Sequence, residues 1–336
     1  MITIDGTLGE GGGQVLRSSL ALAAITGQDV RLFNIRAGRN KGGLLRQHLT
    51  CVQAAAALCG AEVEGAGLRA TEIVFRPGPI RAGAYHFSVG SAGSAALVLQ
   101  TVLPILLFAD DVSTVRIEGG THAMWAPPWP FLEHSFVPAL SRMGVDLDLR
   151  CEVPGFYPAG GGVLLATVAP GRPEPLELIH RGEVAVDAHA IVSALAPRIG
   201  WTELRTMRDA LGLGRHDPPL EVERPVGPGN ACWITASFDG GACVFSAFGR
   251  RGVRAQAVAR EAVDAFQAWE LANVPVCEHL ADQLLLPIAL AGSGRFRTTE
   301  PSLHTTTNAE VIAAFTGQRF TFSRGAAHDW EVALER

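Results

Sequence analysis

The sequence predicts an α+β fold, an α/β sandwich built from three copies of one unit, with the third copy interrupted by a small α/β domain. Three observations carry this. A glycine-rich turn, Gly6 to Gly13, leads a short strand into an apolar helix, and a related turn returns at Gly90-Ser91-Ala92-Gly93-Ser94, roughly 80 residues on. A linker of proline and glycine, residues 170–175, stands where the third such helix is due. That helix arrives about 100 residues late, at 280–290, where a Leu-Pro pair after a glutamine echoes Gln100 to Leu106.

The elements follow in order. Residues 1–5 read as a strand, 14–26 as a helix, 30–35 as a strand and 44–59 as a second helix, and extended segments at 61–64 and 71–75 close the unit. The second copy has a strand at 85–89, a helix at 95–108, a strand at 113–118, a helix at 131–143 and strands at 145–150 and 163–168. The third resumes with the helix at 280–290, a strand at 294–298, a helix at 308–315 and strands at 319–323 and 329–334. The first two copies thus set two helices on four strands, and the third shows two helices and three strands. The insertion, 176–277, has strands at 183–188, 231–238 and 242–248, helices at 192–199, 202–211 and 255–270, and a turn at Gly227-Pro228-Gly229-Asn230. The large domain is then 1–175 with 278–336.

With 48% apolar and 18% charged residues in a chain of 336, the sequence describes a folded protein with a large core. Its apolar runs are too short for a membrane span, so no membrane partner is expected. No charged segment followed by an apolar one opens the chain, as expected without a signal peptide. The six cysteines are scattered with no CxxC pair, which argues against zinc and against a disulfide scaffold and fits the cytoplasm. The net charge of −5 means that a nucleic acid would have to meet a local basic patch. Lys41 is the only lysine, and it lies inside an arginine cluster.

Three segments have the chemistry for a site. Arg36, Arg39, Lys41 and Arg46 flank glycines just before a helix, an arrangement that suits phosphate oxygens, though a charge run alone can also be a solvated loop. Glu10 lies inside the first glycine turn. It reads as a carboxylate favouring the helix dipole or as a hard-metal ligand beside a triphosphate, and the turn leaves both open. No GxxxxGK[ST] is present, so this is not a P-loop. His304 lies in a polar segment, 301–308, just before a helix, where Asn308 and the hydroxyls could be helix caps and a lone histidine is more often structural. The residues alone support a phosphate-binding α/β enzyme with a metal and an unassigned nucleophile.

As a set, these segments resemble the RNA 3′-terminal phosphate cyclase family. The resemblance is carried by Asp5-Gly6 with Gly9 to Arg17, Arg36 to Arg39 with Lys41 and Gly43 to His48, and Gly90 to Ser94 with Gln100. It continues through Gly155-Phe156-Tyr157-Pro158-Ala159-Gly160-Gly161-Gly162, Leu280-Ala281-Asp282-Gln283, and Pro301 to His304 with Thr307-Asn308. It covers nearly the whole chain and is weakest in the insertion. It implies ATP and a divalent metal, Mg or Mn, as cofactors and RNA 3′-phosphate ends as substrate. His304 would attack the α-phosphate of ATP and carry AMP, and Glu10 would hold the metal. Arg17, Gln100, His279, Leu280, Ala281, Asp282 and Gln283 match nucleotide-binding positions, with Pro127 and Pro128 walling the adenine. Arg39, Lys41 and Arg46 match phosphate-binding positions. Members are often homodimers, and the sequence leaves this chain's oligomeric state open.

Two places depart from the family pattern: His122 and Pro130, where an Asp or Asn and an acidic residue are usual, and His279, where the bacterial pattern favours Tyr. Both bear on nucleotide choice and local shape, not on the adenylyl chemistry. Two other readings of the same residues compete. A non-catalytic RNA-binding factor of the same fold would lack the nucleophilic histidine. An enolpyruvyl transferase would lack the 301–308 motif.

Overall fold

In the computed structural model, which describes residues 1–214, 217–326 and 328–335, the described residues form four sheets of four strands. The first unit contains β1 (Ile2–Asp5), α1 (Gly13–Thr26), β2 (Val30–Phe33), α2 (Arg46–Cys59), β3 (Glu62–Glu64) and β4 (Ile73–Arg76), with sheet order β1-β2-β4-β3. β1 and β2 run parallel, which requires a crossover, and α1 supplies it. The second unit repeats this with β5 (Ala84–Ser88), α3 (Ala95–Leu106) and β6 (Ser113–Gly119). There α4 (Trp129–Phe131) passes through a π-helical stretch, Leu132–Phe136, into α5 (Val137–Arg142). β7 (Leu147–Val153) and β8 (Gly162–Val168) complete the order β5-β6-β8-β7.

The third unit opens with β9 (Leu176–Leu178) and is then interrupted by β10 (Ala185–Ser193), α6 (Arg198–Leu211), β11 (Leu220–Glu221), β12 (Gly229–Phe238), β13 (Gly241–Phe248) and α7 (Ala255–Ala272). It resumes with α8 (Glu278–Ala291), β14 (Gly294–Thr298), α9 (Leu303–Thr316), β15 (Thr321–Arg324) and β16 (Trp330–Leu334). Its sheet order, β9-β14-β16-β15, is that of the other two, and β9 pairs parallel with β14, with Leu176 opposite Gly294. The intervening strands form their own sheet, β11-β10-β12-β13.

α1 is at the centre. It packs against α2, α3 and α9, and every residue from Gln14 to Ala24 is buried. A helix apolar nearly all round can be satisfied only in such a place. Leu16, Leu20 and Leu22 meet a core that includes Leu58, Val98, Phe296 and Ile312. No described helix is long and apolar enough to cross a membrane.

Four local readings change. Residues 192 and 193 continue β10 instead of starting a helix: the β-branched Ile191 and Val192 pair with both β11 and β12, Ser193 pairs with Gly229 of β12, and α6 begins only after Pro197. Gly229 and Asn230 lie in β12, not in a turn. Residues 176–178, placed with the insertion on sequence, are in the sheet of the third unit. His304 is in the first turn of α9, not in a loop before it, because the Ser302 side chain accepts the Thr305 N–H at 3.3 Å and starts the helix early.

Candidate active site

The starts of α1, α8 and α9, the loop before α2 and the loop before α4 surround a cleft of about 1050 Å³. The first glycine turn forms part of its wall. Gly9 has φ +50°, and a Cβ there would collide with Thr307 Oγ1, the oxygen that accepts the Glu10 N–H at 3.0 Å. Only glycine gives both the left-handed backbone and the room. Residue 10 is thereby seated against α9, beside the helix that carries His304.

A chain of side-chain hydrogen bonds joins the first helices of the three units. Arg17 Nε, on α1, donates to Gln100 Oε1 on α3 at 3.0 Å. Gln100 Nε2 donates to Gln283 Oε1 on α8. Gln283 Nε2 donates to Asp282 Oδ2 at 2.9 Å, and Gln14 Nε2, back on α1, donates to Asp282 Oδ1. Asn308 secures α9 to the same group: its Nδ2 donates to the Asp282 carbonyl at 3.2 Å, and its Oδ1 accepts from Ser18 Oγ at 2.7 Å.

The chain ends on His304, whose Nδ1 is 3.0 Å from Gln14 Oε1. Asp282 fixes the sense of the Gln14 amide, because a carboxylate takes the NH₂ side. The Gln14 oxygen must then face the imidazole, so Nδ1 bears the proton and Nε2 keeps its lone pair. Burial, with Arg17 and Arg39 nearby, holds the His304 pKa below its ordinary 6.5, while Asp282 works the other way. Burial pushes the Asp282 carboxyl up. The result is a neutral imidazole at pH 7, its side chain 51% exposed, with Nε2 free. Such a group has the chemistry to act as a nucleophile.

His304 Nε2 is 3.8 Å from Glu10 Oε1, which also pairs with Arg39. Glu10 Oε2 is buried and has no partner. No cluster of three or more His, Cys, Asp or Glu side chains gathers among the described residues to hold a metal. One carboxylate with an orphaned buried oxygen, beside cations for phosphate, fits a hard cation bound mainly through substrate phosphates. Arg36, which lines the cleft, donates to the Lys41 and Gly43 carbonyls at 2.7 and 2.9 Å, which ties the two ends of the 36–43 loop together. Exposed Lys41 and Arg46 line the cleft, and Arg46 reaches across to the Gly90 carbonyl at 3.3 Å, bridging two units. His48 closes the back: burial pushes its pKa down to about 3, so it stays neutral and accepts the Leu45 N–H through Nδ1 at 3.2 Å.

A family model described as RNA 3′-terminal phosphate cyclase matches residues 8–322. The chain belongs to the RNA 3′-terminal phosphate cyclase family. Bacterial proteins named RNA 3′-terminal phosphate cyclase are similar to it throughout. One from Koribacter versatilis is 46% identical over 326 residues, covering 96% of this chain and 92% of its own. One from Ralstonia nicotianae is 47% identical over 321 residues, covering 94% and 91%, and one from Pseudomonas fluorescens 45% over 317, covering 94% and 92%.

Within this cyclase-family fold, the residues singled out on sequence are distributed as follows. Glu10, Arg17, Arg39, Lys41, Arg46, Pro128, His279, Asp282, Gln283 and His304 line the one cleft. Gln100 lies behind it, held between Arg17 and Gln283. Leu280 and Ala281 do not line it: both are buried, because α8 turns residues 278, 279, 282 and 283 to the cleft and 280, 281, 284 and 285 to the core. His122 is buried away from the cleft and stacks on Phe156, and burial brings its pKa down to about 4. Pro130 sits in the first turn of α4, where proline is tolerated.

Sequence reasoning gave no role to Gln14 or Thr307, although both lie in the quoted motifs. What marks them is a contact across about 290 residues, which spacing does not reveal. It also left the insertion out of the site, yet Ser246, Phe248 and Arg250 line the cleft. β13, which carries Ser246 and Phe248, packs on α4 and the π-helical stretch.

Proposed function

We propose that this protein is an ATP-dependent RNA 3′-phosphate cyclase, which converts a 3′-terminal phosphate to a 2′,3′-cyclic phosphate in the cytoplasm. The observation that carries the reading is the half-exposed His304 imidazole, with Nδ1 committed to Gln14 and Nε2 free, in a cleft lined by Arg39, Lys41 and Arg46.

His304 Nε2 attacks the α-phosphorus of ATP. An N–P bond forms, the bond to the bridging oxygen breaks, and pyrophosphate leaves. The positive charge gained by the ring is shared through the Nδ1–H to Gln14 and, beyond it, the Asp282 carboxylate. Arg17 and Arg39 supply charge for the phosphoryl oxygens. A metal held by Glu10 would neutralise triphosphate charge. An oxygen of the RNA 3′-phosphate then displaces the imidazole and takes AMP. The neighbouring 2′-OH attacks that 3′-phosphorus, loses its proton, and expels AMP. That nucleophile is tethered one carbon away, which gives ring closure its intramolecular advantage. Proline on one side and His279 on the other would hold the adenine, since an imidazole can still stack, less broadly than a tyrosine.

The test is an RNA oligonucleotide with a 3′-phosphate, incubated with ATP and Mg²⁺ or Mn²⁺. The expected product resists phosphatase, and AMP and pyrophosphate appear in equal amounts. A 3′-phosphate that stays phosphatase-sensitive contradicts the reading. A non-catalytic RNA-binding role would give that result together with RNA binding indifferent to ATP.

A further inference from the structure

Trp125 is the most exposed large hydrophobic side chain among the described residues, at 91%. Its backbone has φ +64°, a left-handed conformation that a bulky residue rarely adopts. The ring stands on the loop between β6 and α4 and lines the cleft, in company with Arg36, Lys41, Arg46 and Arg69.

The base of this loop is firmly held. The Trp129 N–H donates to the Thr121 carbonyl at 2.8 Å. The Thr121 and His122 N–H groups donate to the Gly155 carbonyl at 2.9 and 3.0 Å, and the His122 ring stacks on Phe156 at 4.9 Å between centroids. Only the tip projects. A fixed base thus presents an indole to solvent, at a cost in both exposed apolar area and backbone strain. Strain of that kind marks ligand sites, and a planar apolar ring beside cations suits one ligand chemistry above others: a single-stranded nucleic acid, whose bases stack on the ring while its phosphates meet the cations.

We infer that Trp125 is a stacking platform for one of the last two nucleobases of the RNA strand, and so a substrate-positioning residue. The inference rests on RNA being the substrate, as proposed above. Adenine of ATP is the other candidate for the ring. Two observations favour RNA. Pro128, which lines the cleft as Gln283 does, is buried and better placed to enclose a small base, whereas a ring 91% exposed suits a strand that continues into solvent. The cleft, at about 1050 Å³, is also at the upper end of the range for small-ligand sites, about 300–1,000 Å³. Trp125 would thereby bind the base non-specifically in sequence, since every base has a face to stack.

The experiment measures binding of a short single-stranded RNA ending in a 3′-phosphate, by fluorescence anisotropy without ATP, to wild type, Trp125→Ala and Trp125→Phe. Trp125→Ala is expected to weaken binding about tenfold and Trp125→Phe to restore most of it. RNA made abasic at the terminal or the penultimate nucleotide should bind wild type about tenfold less well at one of those places, and Trp125→Ala should then cost nothing more. In parallel, covalent labelling of the same variants with α-labelled ATP should follow the wild-type dependence on ATP concentration. Unchanged RNA binding by Trp125→Ala overturns the inference. So does weaker ATP labelling with RNA binding intact, which would assign the ring to adenine. If wild type binds RNA through Trp125 but takes up no label from ATP, the cyclase reading fails and the inference stands.

Discussion

Gln14 Oε1 and His304 Nδ1 are 3.0 Å apart, although 290 positions separate the two residues in the chain. One belongs to the first unit and the other to the interrupted third. Gln14 is itself held by Asp282, so a carboxylate on α8 sets the tautomer of a histidine on α9 through an amide on α1. The fold brings the starts of three helices together, and the polar chain between them gives a common side chain a defined orientation with Nε2 toward the cleft.

Replacing Gln14 by Leu removes that link. The ring is then free to turn, and Asp282 Oδ1 keeps only the 3.5 Å contact from Asn308 Nδ2. Self-adenylylation is expected to slow by about 10- to 100-fold, as misplacement of a reacting group commonly does, with RNA binding little changed. A single-turnover rate of adduct formation checks this. A rate equal to wild type would leave Gln14 without a role.

The pH dependence follows from His304. Its pKa is lowered, chiefly by burial, so the reactive neutral ring persists below pH 6.5 and is lost only as pH falls through the lowered value. The acid limb of adduct formation should therefore lie below 6.5. Asp282 raises the histidine pKa, so Asp282→Asn should move the limb further toward acid, whatever it does to the maximal rate. A shift toward neutral pH is the contrary outcome.

Glu10 offers a carboxylate with one oxygen unpartnered. Glu10→Ala should raise the Mg²⁺ concentration for half-maximal adduct formation at least about tenfold, since substrate phosphates alone would then hold the cation. A titration of Mg²⁺ at fixed ATP measures this. An unchanged midpoint would restrict Glu10 to pairing with Arg39.

Glu203 makes a separate prediction about stability. It is fully buried in the insertion, accepts from Asn230, and burial raises its pKa from 4.5 to about 8. The folded state therefore holds a proton that the unfolded state releases above pH 4.5, and stability drains away as pH rises from there through 8. Glu203→Gln removes that dependence. Its advantage in unfolding free energy should grow by up to about 1.4 kcal/mol per pH unit across this window and then level off. Denaturant melts at several pH values check it; a constant difference would contradict it.

Much of the fold was legible because its signals are local. The glycine turns, the proline linker at 170–175 and the glutamine followed by Leu-Pro on α3 and α8 mark the repeat without any knowledge of packing. β9 was not legible: three residues after a proline-rich stretch become a strand only because β14 offers an edge more than a hundred residues later. Residues 192 and 193 are illegible for a related reason: pairing with β12, and for Val192 also with β11, decides them and not local pattern. In the site, His304, Glu10 and the cations stood in recognisable segments. The hydrogen bonds that orient them depend on which faces of α1, α8 and α9 meet, and one-dimensional spacing does not carry that. For the same reason Leu280 and Ala281 shared a motif with Asp282 and Gln283 while pointing to the core.

The central claim is that His304 Nε2 forms the covalent link. Its most direct measurement is incubation of the protein with α-labelled ATP and Mg²⁺, followed by mapping of the labelled peptide. An acid-labile, base-stable adduct on His304, absent from His304→Ala, is the expected result. No adduct on wild type, or undiminished label on His304→Ala, would contradict it.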